Sequence, residues 1–171
     1  MTQEFLDNGN LFPGIHTYNW SEFEQQFVQS FPQSQKRPDI YNNFKQWVEQ
    51  LIDILPPQYI WLDGSYLTQK PEPNDIDLVA FYYPEDFKSQ EQSLQVKNLI
   101  NVVSRAYNCD AYFSLSLEHW PPERIHQLPN NVSIMQTYWM GQFSFDRLRR
   151  PKGMVQFSKE ELLLLKGGVT S

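Results

Sequence analysis

Asp75-Ile76-Asp77 places two carboxylates one residue apart in the chain. On a β-strand, residues i and i+2 project from the same face about 6.5–7 Å apart along the backbone, so such a pair can converge on one site. A paired carboxylate site suits a hard divalent cation. Mg²⁺ takes oxygen ligands, keeps several waters and is held by one or two carboxylates together with substrate phosphates. Two such ions about 3.5–4 Å apart activate an attacking oxygen and neutralise a leaving pyrophosphate. Asp-x-Asp alone is a frequent pattern, and "PEPND" is also good turn chemistry, so the pair taken alone reads first as a turn cap.

Two accompaniments shift that balance. Gly64-Ser65 follows a β-branched and aromatic run, where Gly permits a tight turn close to a phosphate and Ser supplies a hydroxyl donor. Asp110 opens a later apolar run, and neighbouring strands lie about 4.8 Å apart, so it can stand beside the pair as a third carboxylate.

These residues need elements to hold them. "QYIWLDGS" reads as a strand entering a turn, and "DIDLVAFYY" as a strand buried on both faces. "SQEQSLQVKNLINVVSRAY" reads as a helix with Leu94, Leu99, Val102, Val103 and Ala106 on its inner face, and "CDAYFSLSL" as an alternating strand. Upstream, "WSEFEQQFVQSF" carries a helix-start signature with Ser21 as cap, Glu24 three residues on, and Phe23, Phe27 and Val28 on one face. In "RPDIYNNFKQWVEQLIDIL" the residues Ile40, Phe44, Trp47, Val48, Leu51 and Leu55 recur at helical spacing until Pro56-Pro57. Residues 1–19 read as an extended arm. Beyond residue 118 come a Pro-rich connection, "SIMQTYWMGQF" as strand or short helix, "KGMVQF" as a strand and "SKEELLLL" as a capped terminal helix.

The chain of 171 residues fits a single domain, residues 1–171, with the chemistry-bearing core at 58–113. The pattern of elements predicts an α/β (α+β) fold with a small mixed sheet flanked by helices. A net charge of -6 argues against a protein held mainly by nucleic-acid phosphates. One cysteine, Cys109, excludes an intramolecular disulfide framework and a multi-Cys zinc site, and it fits a reducing, cytoplasmic compartment. The first residues lack the basic start and apolar run of a secretory signal, and no later run is long enough to span a membrane, so no membrane partner is expected.

Gly64-Ser65, then Asp75-Ile76-Asp77 with apolar Leu78-Val79 behind it, then a third Asp on a later strand, resembles the signature of the nucleotidyltransferase superfamily related to DNA polymerase beta. The resemblance implies a nucleotidyltransferase fold in which Asp75, Asp77 and Asp110 are the catalytic metal ligands. Mg²⁺, with Mn²⁺ as its substitute, is the implied cofactor. Gly64 and Ser65, with Thr68 in the same loop, would hold the phosphates of a nucleoside triphosphate. In size the chain is similar to minimal nucleotidyltransferases, some of which are antitoxins that modify a partner toxin. Its loop "YLTQKPEPN" departs from their Ala-Arg-Gly element and has Lys70 as its only cation. The flanks "LFPGIHTYNWSEFEQQF" and "FDRLRRPKGMVQF" look like those of a poorly characterised prokaryotic group of nucleotidyltransferase-like proteins.

A triphosphate needs cations beyond the metals. Lys70, Arg147 and Lys152 are the candidates, with Arg149 and Arg150 in the same cluster "DRLRRPKG", which can equally be a solvated turn. His16, His119 and His126 have no metal-ligand spacing and read as structural. Asp63 either tunes the site or caps the turn. Trp61, Tyr66 and Tyr82 are near enough in sequence to meet a nucleobase, although core packing is the commoner use of such rings. Besides a purely structural, self-assembling protein of a phage or mobile element, which predicts no metal site, two functions stay open at this level. One is a Mg²⁺-dependent enzyme transferring a nucleoside monophosphate to a protein, RNA or small-molecule hydroxyl; the other is a binding module of the same fold, such as an antitoxin or regulatory partner that docks a toxin-like protein.

Overall fold

Side-chain parity along the strands sorts the sheet into two faces. In the computed structural model, which describes residues 2–167, the elements run β1 (Gly14–Thr17), α1 (Trp20–Glu24), α2 (Lys36–Ile54), β2 (Tyr59–Asp63), β3 (Ile76–Tyr82), α3 (Gln90–Asn101) and β4 (Cys109–Leu115). They continue with α4 (Pro122–Ile125), α5 (Asn130–Ser133), α6 (Met135–Phe143), β5 (Gly153–Ser158) and α7 (Lys159–Leu163). The five strands form one mixed sheet in the order β1-β5-β2-β3-β4. The two outer pairs are parallel and the two inner pairs antiparallel. The fold is therefore the α+β arrangement that the element pattern predicts.

The parallel pair β3–β4 needs a crossover, and α3 supplies it. Ile60, Leu62, Leu78, Ala80, Ala111, Val155 and Phe157 face the main core, where they meet Phe23, Phe44, Trp47, Leu51, Val96, Ile100 and Leu162 from the helices. The residues of opposite parity, Tyr59, Trp61, Val79, Phe81 and Met154, form a second, smaller core under Trp139 and Phe143 of α6. Asp63, Asp77 and Asp110 share the parity of that second face. α6 is short, so it covers the Tyr59–Phe81 end of the face and leaves the carboxylate end open.

Several expectations shift in register. The cap of α1 is Asn19, not Ser21: its side chain accepts from Glu22 N, and Glu22 returns a bond to Asn19 N, which completes a capping box two residues earlier. That helix then widens into a π-helical turn at Gln25–Gln29 that keeps Phe27 and Val28 buried. α3 ends at Asn101 and tightens to a 3₁₀ turn at Val103–Tyr107; of the expected inner face Leu99 and Val103 pack on the core, joined by Val96 and Ile100, while Leu94 in the first turns of the helix and Val102 at the break are exposed. The extended arm contains a strand, β1. "SIMQTYWMGQF" is helical, since its one inward stripe, Trp139 and Phe143, has i, i+4 spacing. No helix among the described residues is long and apolar enough to cross a membrane.

Candidate active site

Strand register brings the acidic residues together. Asp77 pairs with Asp63 across the antiparallel β2–β3 ladder and with Asp110 across the parallel β3–β4 ladder, so three carboxylates stand in one row across three strands. Asp75 lies just before β3 with the parity of Asp77. The row opens into a cleft of about 860 Å³, whose lining includes Gly64, Ser65, Thr68, Lys70, Asp75, Asp77, Asp110, Arg147 and Lys152. All nine residues expected at the site meet there.

Gly64 has φ of 84°, the left-handed region that side chains avoid, and a Cβ on it would lie 1.8 Å from Asp77 Oδ2. The turn and the carboxylate are therefore in direct contact, which only Gly allows. Behind Gly64, Ser65–Leu67 makes a 3₁₀ turn. Thr68 Oγ1 donates to Ser65 O at 2.7 Å, and Lys70 N donates to Thr68 Oγ1 at 3.2 Å. Thr68 thus staples the loop as well as lining the cleft.

A residue without a sequence signal holds this loop from below. Arg37 is fully buried in α2 and donates to four carbonyls: Phe27 O and Tyr66 O from Nη1, Thr68 O and Lys70 O from Nη2, all within 2.6–2.8 Å. Its guanidinium lies 3.7 Å from the Phe31 ring centroid, and Tyr66 OH donates back to Arg37 O at 2.7 Å. Burial lowers the Arg37 pKa to about 10, which leaves it charged at neutral pH. No periodicity marks a buried Arg, because its partners are backbone atoms of a distant loop.

The electrostatics of the row are unbalanced. Burial first, then the charges of Asp75, Asp63 and Asp110, push the Asp77 carboxyl up to about 7. Asp75 is also raised, by burial and by Asp110, against the pull of Lys70. Asp63 is raised by burial, against the opposing charge of Lys152. Lys152 Nζ sits 2.7 Å from Asp63 Oδ2 in a pair that is almost wholly buried. Asp63 Oδ1 is buried too and accepts no well-formed hydrogen bond. Asp63 is thus an ion-pair partner inside the site rather than a turn cap.

The basic cluster divides. Asp146 accepts from Leu148 N, Arg150 N, Arg150 Nε and Asn10 Nδ2, which knots residues 146–150 into a tight turn and ties it to the arm. Arg147 and Lys152 line the cleft, whereas Arg150 is bound to Asp146. Trp61, Tyr66 and Tyr82 are buried to within 2% and do not reach the cleft. Its ring-bearing wall is instead Tyr112, Tyr138, Trp139, Phe143 and Phe145. Parity places Tyr112 two residues from Asp110 on the same face, a signal readable in "CDAYF"; the other four depend on where α6 docks. His16 bonds Phe12 O and His119 bonds Glu85, both away from the cleft.

Among the described residues no three His, Cys, Asp or Glu side chains are gathered into a ready ligand cage. The fit to a divalent cation rests on donor chemistry and charge: the carboxylates are hard oxygen donors, and Asp77 carries repulsion that a cation relieves. Cys109 adds nothing reactive, since burial keeps its thiol protonated.

Fold and site together define an α+β protein with an acidic row and a glycine turn at one open end of a mixed sheet. The chain belongs to DUF6932, a family of unknown function, whose sequence model matches residues 3–158. No curated protein and no solved structure matches it.

Proposed function

We propose that the protein is a Mg²⁺-dependent nucleotidyltransferase. The observation that carries the reading is the contact between Gly64 and Asp77 Oδ2. It joins a turn suited to phosphate oxygens to a carboxylate suited to the cation that phosphates share. Asp75, Asp77 and Asp110 would hold Mg²⁺ or Mn²⁺, which when bound neutralises phosphoryl charge and activates the attacking oxygen. Gly64 and Ser65 receive the phosphates of a nucleoside triphosphate. Lys70 and Arg147 line the same cleft and compensate the charge of the departing pyrophosphate, while Lys152, which also lines it, offsets the charge of Asp63 at the end of the row. Asp110, at the edge of the row, accepts the proton of the attacking hydroxyl. Tyr112 OH donates to Asp110 Oδ2 at 3.3 Å and orients it.

The test is nucleotide transfer with labelled triphosphates and pyrophosphate release as the readout. Wild type is expected to release pyrophosphate only with Mg²⁺ or Mn²⁺. Asp77→Asn is expected to lose about 100-fold or more of that rate while keeping its circular dichroism spectrum. A wild-type protein that binds no nucleotide in the presence of Mg²⁺ would overturn the reading.

A further inference from the structure

A second cavity, of about 350 Å³, adjoins the cleft and shares Asp75, Asp110 and Tyr112 with it. Its remaining wall includes Asn74, Arg105 and Asn108, from the loop before β3 and the turn before β4. The cleft spans the whole carboxylate row, and the second cavity continues from its β4 end. Lys152, Asp63 and Gly64 belong to the β5–β2 side, whereas the second cavity lies at the β4 edge.

This wall is built by specific bonds. Asn108 adopts the left-handed conformation, φ 58°, and its carbonyl accepts from Ile76 N at the start of β3. Asn43 Nδ2 in α2 donates to Asn108 Oδ1 at 2.8 Å, and Asn108 Nδ2 donates to Asn74 O at 3.4 Å. Lys36 Nζ donates to Asn74 Oδ1 at 2.8 Å. Arg105 is the cation that lines this cavity, and it forms no ion pair among the described residues.

We infer that this cavity is the acceptor site, and that it takes a small molecule with a hydroxyl at the Asp110 end and one anionic group, a phosphate or a carboxylate, at Arg105. This rests on the nucleotidyltransferase reading. In that reaction the acceptor oxygen forms a bond to the α-phosphorus. The bond from that phosphorus to its bridging oxygen breaks, pyrophosphate leaves with the electron pair, and the hydroxyl proton passes to Asp110. The nucleophile enters opposite the leaving group, and the leaving group belongs with Arg147, on the segment that leads into β5 at the far end of the row. The acceptor therefore comes from the β4 edge, where this cavity lies. Its volume is near the lower end of small-ligand pockets, about 300–1,000 Å³. A polynucleotide acceptor needs a track of cations, and this wall supplies a single guanidinium.

The test is a ¹⁵N NMR titration with glycerol 3-phosphate, D-glycerate and glycerol as separate probes, and with Mg²⁺ plus a nonhydrolysable triphosphate as a separate arm. The anionic probes are expected to shift Asn108, Asp110 and the Arg105 side-chain signal saturably, and glycerol to shift none of them. The stronger of the two anionic probes then identifies phosphate or carboxylate. Arg105→Gln is expected to weaken the anionic probe about tenfold more than it weakens the nucleotide, and Arg105→Lys to recover part of the loss. Equal response to glycerol, indifference to Arg105→Gln, shifts confined to Lys70 and Arg147, or stronger displacement of these signals by a short RNA would each overturn the acceptor assignment. The nucleotide arm reports at Gly64 and Ser65, so its failure strikes the enzymatic reading, and a response at Arg105 without it leaves an anion site alone.

Discussion

Replacing Asp77 by Asn should stabilise the cation-free protein, and by an amount that depends on pH. The Asp77 carboxyl stands at about 7 in the folded chain against an ordinary value of 3.8. A folded-state value above the unfolded one means that the native state favours the proton. Below about pH 4 both states are protonated and the group contributes nothing; the penalty grows from there and is complete above about pH 7. At about 1.4 kcal/mol for each pH unit, the full difference corresponds to about 4 kcal/mol, and solvent reaching this partly buried group reduces it to about 2–4 kcal/mol. Denaturant melts of wild type and Asp77→Asn across that range should therefore diverge as pH rises, with the variant gaining. Mg²⁺ should narrow the gap. At about ten times its dissociation constant a cation that binds only the native state contributes about 1.4 kcal/mol. A stability difference that varies by less than about 1 kcal/mol between pH 4 and 8, or a response to Mg²⁺ that is equal in both proteins, would refute the picture of an uncompensated carboxylate at Asp77.

Three other perturbations have defined outcomes. Gly64→Ala forces a side chain into a left-handed φ and onto Asp77, so it should cost about 2 kcal/mol or more in a thermal melt and abolish Mg²⁺-dependent nucleotide binding in calorimetry. Lys152→Met strands Asp63 in the interior and should cost about 3 kcal/mol by denaturant unfolding; adding Asp63→Asn should return most of it, and a double variant no more stable than the single one would sink the ion-pair account. Arg37→Lys keeps the charge but loses the fork that reaches four carbonyls, so hydrogen exchange at residues 64–70 should accelerate about tenfold or more while β4 keeps its protection.

The site was legible in the sequence to the extent that it depends on local parity and turn chemistry. Asp77 and Asp110 are each the second residue of a strand whose first residue turns into the core, and the period of two gives Asp75 and Asp77 one parity; pairing then needs only adjacent strands in register. Gly64 was legible because a turn beside a carboxylate has few alternatives. The misplaced features depend on distant partners. β1 is a four-residue edge strand whose partner, β5, follows most of the chain later, and nothing within Gly14–Thr17 encodes that pairing. On α3 the spacing finds Leu99 and Val103 but not Val96 and Ile100, and Val102 turns outward where the helix tightens to a 3₁₀ turn and its phase breaks. Tyr138, Trp139 and Phe145 line the cleft only because α6 docks on the second face, and Arg37 matters only because the loop from Gly64 to Lys70 folds over it.

That loop carries a thermodynamic consequence for any ligand it receives. A phosphate-binding segment that orders only on contact loses about 1–2 kcal/mol of backbone freedom per residue at the moment of binding. Here the Arg37 fork fixes Tyr66, Thr68 and Lys70 through their carbonyls, so that loss is charged to folding. Association at this turn should accordingly show a small entropic penalty, and the off-rate of any ligand bound there should be set by its own contacts rather than by the reopening of a loop.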